Sequence, residues 1–406
     1  VVVADLSTGA NPYHEVFRRP TWTAHPSTVI PGFPFDAPAL PLTLGPDLQT
    51  DLEADAELWK NMMPGVVYWI PGTNLLYVHT RYQDDAFPGA PHDTPAYSTD
   101  NHGVLSSGVV AATCKRCYVL IVADPEGGFT YSLNFTKNLP WVDFASSTQQ
   151  SFNVAAQSVV VIVNDVLINP LTGPISEYAT AAKEWAESGR LYFIGSGDTP
   201  SSLVNYPVPT PTTDNGLPPW FTVVGGVHPD CGAVELMSGS PNEFVSSYSV
   251  PTPTLNATTG FTTEAGTSFS TPMVSALFGE TLRIVRETLG DIRTSGMYWS
   301  GQVQTSDFLS DGQLSREDFY QAVAEAGRLF SSSDYKLPCA ELGYPIPSGP
   351  KPWLEMGWGY VGPQEAALAA DLLLGRALPP VKPDEQKSYM NSYLSARAIY
   401  ATPAGP

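Results

Sequence analysis

A series of short apolar runs constrains this chain more than any other feature. They are Val1-Val2-Val3-Ala4 and the segments 118–122, 159–163, 191–194 and 221–224. Each is short for a helix and lacks the alternation of a strand with one wet face, so each reads as a strand covered on both sides. Helical spacing occupies the gaps. Val104, Leu105, Gly108, Val109 and Ala112 recur along one helical face, and Ser176 can cap a segment that packs Tyr178, Ala181, Trp185 and Ala186 before Gly189 ends it. Strands buried on both faces and joined by helices predict an α/β fold, a mostly parallel sheet flanked by helices.

At 406 residues the chain can bury one large core carrying insertions, or two modest ones. The formal charge of −20 argues against a nucleic-acid surface and against attraction to anionic lipid. No apolar run approaches the roughly 20 residues that span a bilayer. The sequence opens on Val1, within a strand, and is read as a processed product with no signal peptide left in it. Scarce Lys and Arg beside abundant Gly, Pro, Ser, Thr and Tyr fit a secreted protein. Cys114 and Cys117 stand at a spacing open to a local disulfide, half a zinc site or a redox pair. Cys231 and Cys339 lie far apart, so two structural disulfides are preferred over zinc, with the pairing open.

The stretch Gly266-Thr267-Ser268-Phe269-Ser270-Thr271-Pro272 stands where a polar segment gives way to the apolar run 273–278. It places Ser268 in the first turn of a helix, beside backbone N–H groups without helical partners. A hydroxyl next to such donors suits acyl transfer, because negative charge develops on the attacked carbonyl oxygen. The same serine could also be an ordinary helix cap. Two further residues occupy comparable junctions: Asp5 closes the first apolar strand, and His102 opens a helix. In this order they can form a proton-transfer line, with His102 taking the Ser268 proton and Asp5 orienting the imidazole.

From Arg18 to about Asp100 the pattern is irregular, with recurrent prolines and an acidic patch of Asp47, Asp51, Glu53, Asp55 and Glu57. Within it, 66–70 and 75–79 around Pro71-Gly72-Thr73-Asn74 read as a hairpin elaborating the main sheet. Ser315 and Asp318 form a capping pattern for a helix reaching Phe330. Pro363 starts another, with Ala366, Ala367, Ala370 and Leu374 facing inward. The segment 379–406 is expected to run along the surface.

The three junctions carry a resemblance to the subtilisin-like serine proteases. Gly266 to Pro272 matches the family's Gly-Thr-Ser-x-x-x-Pro. His102-Gly103-Val104-Leu105-Ser106-Ser107-Gly108 resembles its histidine motif, with Val104 and Leu105 replacing a Thr and a second His. Val1 to Asp5 resembles the aspartate strand, though Leu6-Ser7-Thr8-Gly9 departs from Asp-Ser/Thr-Gly at once. Gly357-Trp358-Gly359 resembles the segment before the family's late helix.

The resemblance implies a three-layer peptidase domain over residues 1–375 with an insertion at about 18–100, followed by an extension over 376–406. It implies a secreted endopeptidase with a polypeptide substrate, Asp5, His102 and Ser268 as triad, and a removable N-terminal propeptide. No cofactor is implied for the chemistry, and structural calcium is common in the family. Asp198 stands where the family places its oxyanion-hole asparagine. An ionised carboxylate there repels the developing charge and a protonated one donates to it, so an acidic optimum or reduced activity is expected. Asp165, Val166 and Leu167 align with the substrate-binding strand, and Glu264 with the primed side of the cleft. The departures at these positions also leave room for a second role, a subtilase-fold protein kept for structural or binding work.

Overall fold

The computed structural model describes residues 1–7, 9–30, 33, 36–63, 66–79, 102–123, 160–165, 191–196, 221–230, 233–236, 243–289, 316–330, 341 and 356–388. Along the chain these form β1 (Val2–Ser7), α1 (Leu48–Lys60), β2 (Val67–Trp69), β3 (Leu75–His79), α2 (His102–Thr113) and β4 (Tyr118–Ala123). There follow β5 (Val160–Asp165), β6 (Leu191–Gly195), β7 (Phe221–His228), β8 (Ala233–Leu236), β9 (Glu243–Ser247), β10 (Ser249–Pro253) and β11 (Phe261–Ala265). The remaining helices are α3 (Thr267–Leu289), α4 (Arg316–Ala326) and α5 (Pro363–Leu373).

The main sheet runs β2-β3-β4-β1-β5-β6-β7-β8, with β9 also pairing β7. All pairings between β3 and β7 along this order are parallel, as is β7 with β9. The expected α/β class with a mostly parallel sheet is therefore what the chain adopts. β1 sits between β4 and β5, which places Asp5 opposite Ile121 on one side and Asn164 on the other. Val2, Val3 and Ala4 are buried, as their unbroken apolar run requires. From β1 the order goes toward β4 on one side and β5 on the other. That reversal is the switch point at which open α/β sheets gather functional groups beyond the strand ends.

The region read as irregular contains α1, built from the acidic patch itself. The Asp47 side chain caps it by accepting from Thr50 N at 2.8 Å. Leu48, Leu52, Asp55 and Trp59 recur at helical spacing, a pattern hidden because one of the four is a carboxylate. Asp55 is buried, and its charge is met by Tyr13 Oη at 3.0 Å, Thr43 N at 2.7 Å and Thr43 Oγ1 at 2.8 Å. Trp59 Nε1 donates to Tyr13 Oη at 2.8 Å and completes the network. The hairpin expected at 66–79 is present, but β3 pairs directly with β4, so it forms an edge of the main sheet.

α3 lies against the sheet with Phe278 at its centre, packed edge-on to Phe193, Phe244 and Phe319 at ring separations of 4.9, 5.3 and 5.4 Å. Gly359 has φ +104°, and a Cβ there would lie 2.7 Å from Arg328 O. The contact lets Tyr360 and Arg328 exchange backbone hydrogen bonds of 2.7 and 3.0 Å. α5 buries Ala366, Ala369, Ala370 and Leu373, while Ala367, expected inside, is exposed. Of the tail expected on the surface, residues 379–388 are described and are only partly superficial, and 389–406 lie outside the described residues. Val381 is 97% exposed, yet Lys382 and Gln386 are buried, and Lys382 Nζ donates to Gly327 O at 2.7 Å. Burial pulls the Lys382 ammonium down to about 8.

Cys114 and Cys117 are joined in a disulfide between α2 and β4, the first of the three readings of that spacing. Cys231, Cys339, the helix expected at 176–189 and the insertion beyond His79 lie outside the described residues. Among the described residues, no helix is long and apolar enough to cross a membrane.

β10 and β11 form an antiparallel hairpin whose tip is held by the segment that follows β1. Asn11 Nδ2 donates to Ala257 O at 2.9 Å, Glu15 N donates to Thr258 O at 2.8 Å, and Gly260 N donates to Glu15 Oε1 at 2.9 Å. His14 is fully buried at this junction. Its Nδ1 accepts from Val16 N at 3.1 Å, which leaves Nε2–H to donate to Gly260 O at 2.8 Å. The neutral ring satisfies both partners. A proton on Nδ1 would set two N–H groups against each other.

Burial lowers the His14 pKa, with Arg18 adding to the effect and the Gly260 carbonyl and Glu15 opposing it. The unfolded histidine takes a proton near its reference value of about 6.5. His14 therefore stabilises the fold fully above that value, and the contribution is lost as pH falls from there toward the lowered native pKa. Urea unfolding at pH values of about 7.5 and 5 should show a smaller loss of stability for H14Q than for wild type. Equal losses would refute the assignment.

Candidate active site

Two helix N-termini and the carboxyl ends of several strands meet at one edge of the sheet. α3 begins at the end of β11, where Gly266 holds φ +149° and donates its N–H to Tyr248 O at 3.0 Å. Its carbonyl then accepts from Phe269 N and Ser270 N at 3.0 and 3.2 Å, closing the first turn around Ser268. Ser270 Oγ donates to Ser247 O at 2.9 Å and Thr271 Oγ1 to Thr267 O at 2.7 Å, so the neighbouring hydroxyls are engaged in structure. Pro272 has no N–H for the Ser268 carbonyl, which loosens the ladder at the turn that presents the serine. Ser268 itself is partly exposed.

The end of β6 abuts the same turn. A Cβ on Gly195 would lie 3.1 Å from Thr267 Oγ1 and 3.3 Å from Thr271 Oγ1, so a larger residue would displace the serine's neighbours. The chain continues from Ser196 into Gly197 and Asp198, which lie outside the described residues.

His102 is the first residue of α2 and partly exposed. Its ring lies 5.7 Å from that of Phe269, the residue after Ser268, at an interplanar angle of 32°. Beneath this pair, Leu105 and Val109 of α2, Val250 of β10 and Phe269 of α3 form one buried apolar cluster. Gly108 deepens the contact, since a Cβ there would fall 2.0 Å from Pro253 Cγ. Leu105 has a packing role: its side chain fills the interface that fixes α2 against α3.

Asp5 is fully buried and lies within β1, which continues to Ser7, so it does not close the strand as its apolar run suggested. Ser106, one turn after His102, donates its hydroxyl to Asp5 Oδ2 at 3.0 Å. The carboxylate therefore lies under the opening turns of α2. Asp5, His102 and Ser268 are brought to one region by β1–α2 and α2–α3 packing. The sequence had shown Ser106 only as a small residue for close packing. Its place one turn after His102 was the available signal, since residues four apart on a helix are neighbours.

Asp165 is the last residue of β5, with its backbone paired to Leu6, while Val166 and Leu167 lie outside the described residues. Glu264 is partly exposed on β11, opposite Val250 and two residues before Gly266. Among the described residues, no three or more His, Cys, Asp or Glu side chains gather as a metal site.

The φ of Gly266 lies in the region that side-chain-bearing residues avoid. G266A should destabilise the chain by about 1 to 3 kcal/mol in chemical denaturation. An unchanged midpoint would show that the turn before Ser268 is unstrained.

No family model matches the chain, and no curated protein matches it. Its structure is similar to that of prenylagaramide maturation protease PagA, at 12% identity over 93% of this chain and 94% of that one, with a TM-score of 0.46. It is similar to patellamide maturation protease PatA, at 12% identity over 92% and 97%, with a TM-score of 0.46. The PatG macrocyclase domain is similar at 10% identity over 92% and 91%, with a TM-score of 0.45.

Proposed function

We propose that the chain is a subtilisin-type serine endopeptidase that hydrolyses peptide bonds through an acyl-enzyme. The observation that carries this reading is the double engagement of α2. Its first residue, His102, lies over the neighbour of Ser268, and its next turn hydrogen-bonds Asp5. The Gly266 to Pro272 motif supplies the chemistry for that place.

Ser268 Oγ attacks the substrate carbonyl while His102 takes its proton. Asp5, buried under α2, favours the imidazolium that forms, and His102 then returns the proton to the leaving amine. Water, activated by the same histidine, releases the acyl group. Backbone N–H groups at the start of α3 favour the oxyanion, because a helix N-terminus carries unpaired donors and partial positive charge. Asp198 donates when protonated and repels when ionised, which favours acidic operation. Such a donor contributes about 3 kcal/mol to the transition state. The Cys114–Cys117 disulfide supports a secreted setting. The propeptide belongs to the same proposal.

A serine-directed fluorophosphonate should label the wild type in the acidic range and fail to label S268A. H102A should lower the labelling rate by roughly a thousandfold or more. D198N should extend labelling toward neutral pH, because an amide donates without a proton. A folded wild type unlabelled from acidic to mildly alkaline pH would sink the protease reading in favour of a structural or binding role. A rate already flat between about pH 5 and 9 in wild type would remove the part given to Asp198.

A further inference from the structure

We infer that Ser106 is a positioning residue for the Asp5 carboxylate, its hydroxyl fixing the rotation of that group beneath His102. The inference rests on the proposed triad and adds to it a donor from the histidine's own helix.

Ser106 and Asp5 are both fully buried, and Oγ lies 3.0 Å from Oδ2. The hydroxyl has one proton and two acceptors in reach, since the Gly103 carbonyl lies at 3.3 Å. The carboxylate is closer and, when ionised, accepts a bond roughly twice as strong as a neutral carbonyl does. Ser107 Oγ meanwhile donates to Gly103 O at 2.6 Å, so the carbonyl is served by the neighbouring hydroxyl and Ser106 is left for Asp5.

Helical geometry explains why this donor bears on the chemistry. Positions 102 and 106 are one turn apart on α2, so the helix that sets the Ser106 hydroxyl against Asp5 also carries His102 to Phe269. The α2–β1 packing that places one places the other. A role in packing alone predicts something different, because alanine fills nearly the same volume without donating.

The test combines kinetics with titration. S106A should lower kcat by about ten- to a hundredfold, the worth of a hydrogen bond to a charged group, with KM held within about twofold. Its acid limb in kcat/KM should move to higher pH, because a carboxylate that loses a donor is more basic and holds the imidazolium proton more tightly. In D5N the further change S106A should cost almost nothing, since the group it serves has lost its charge. Equal losses in the wild-type and D5N backgrounds, or an unchanged kcat in S106A, would overturn the inference.

A readout free of turnover is the NMR titration of the His102 ring in S268A and in S268A/S106A. A shifted midpoint supports the inference, and superimposable curves defeat it. A wild type that never reacts with fluorophosphonate, together with a shifted His102 midpoint, would remove the protease reading and leave the Ser106–Asp5 coupling standing.

Discussion

A carboxylate shut inside the central strand of a sheet is the constraint around which this structure is arranged. Asp5 is fully buried between β4 and β5. An ionised group so placed costs several kcal/mol unless donors and opposite charge surround it. One such donor, Ser106, comes from α2, while the backbone of β1 is committed to two parallel ladders. α2 reaches in from above the strand ends, and its small residues allow the approach. The same feature that makes Asp5 expensive makes it useful, because a desolvated carboxylate acts strongly on whatever charge forms beside it.

α2 in turn depends on an apolar contact. Leu105, Val109, Val250 and Phe269 seal the joint between α2, the β10–β11 hairpin and α3. A site built from three separated stretches works only if relative positions hold within fractions of an ångström. Interdigitated side chains supply that rigidity better than polar contacts, which can exchange with water. Glycine contributes by absence: Gly108 lets Pro253 come in, and Gly195 leaves space for Thr267 and Thr271.

Much of this was legible in the residues. Unbroken apolar runs such as Val1-Val2-Val3-Ala4 announced strands with both faces covered, although β1 runs on to Ser7 because Leu6 and Ser7 continue its ladders, so Asp5 lies within the strand and not at its end. α1 was hidden because Asp51 and Asp55 occupy its buried face, and hydrophobic periodicity cannot see a carboxylate that Tyr13 and Thr43 neutralise by hydrogen bonding. Ala367 was placed inside because a run of alanines carries no directional signal. Ser106 went unnoticed as a donor because its partner lies 101 residues away, across a contact that exists only after folding. The anchoring of Lys382 escaped for the opposite reason: lysine reads as surface until a carbonyl such as that of Gly327 captures it.

The clasp between residues 11–15 and the hairpin tip joins positions 246 apart in the sequence. Closing so long a loop demands a large entropic outlay before any reward arrives, so this union belongs late in folding. The segment bearing Asp5 is made before the one bearing the hairpin, and so it must wait for a stretch more than two hundred residues away before its own fold is complete.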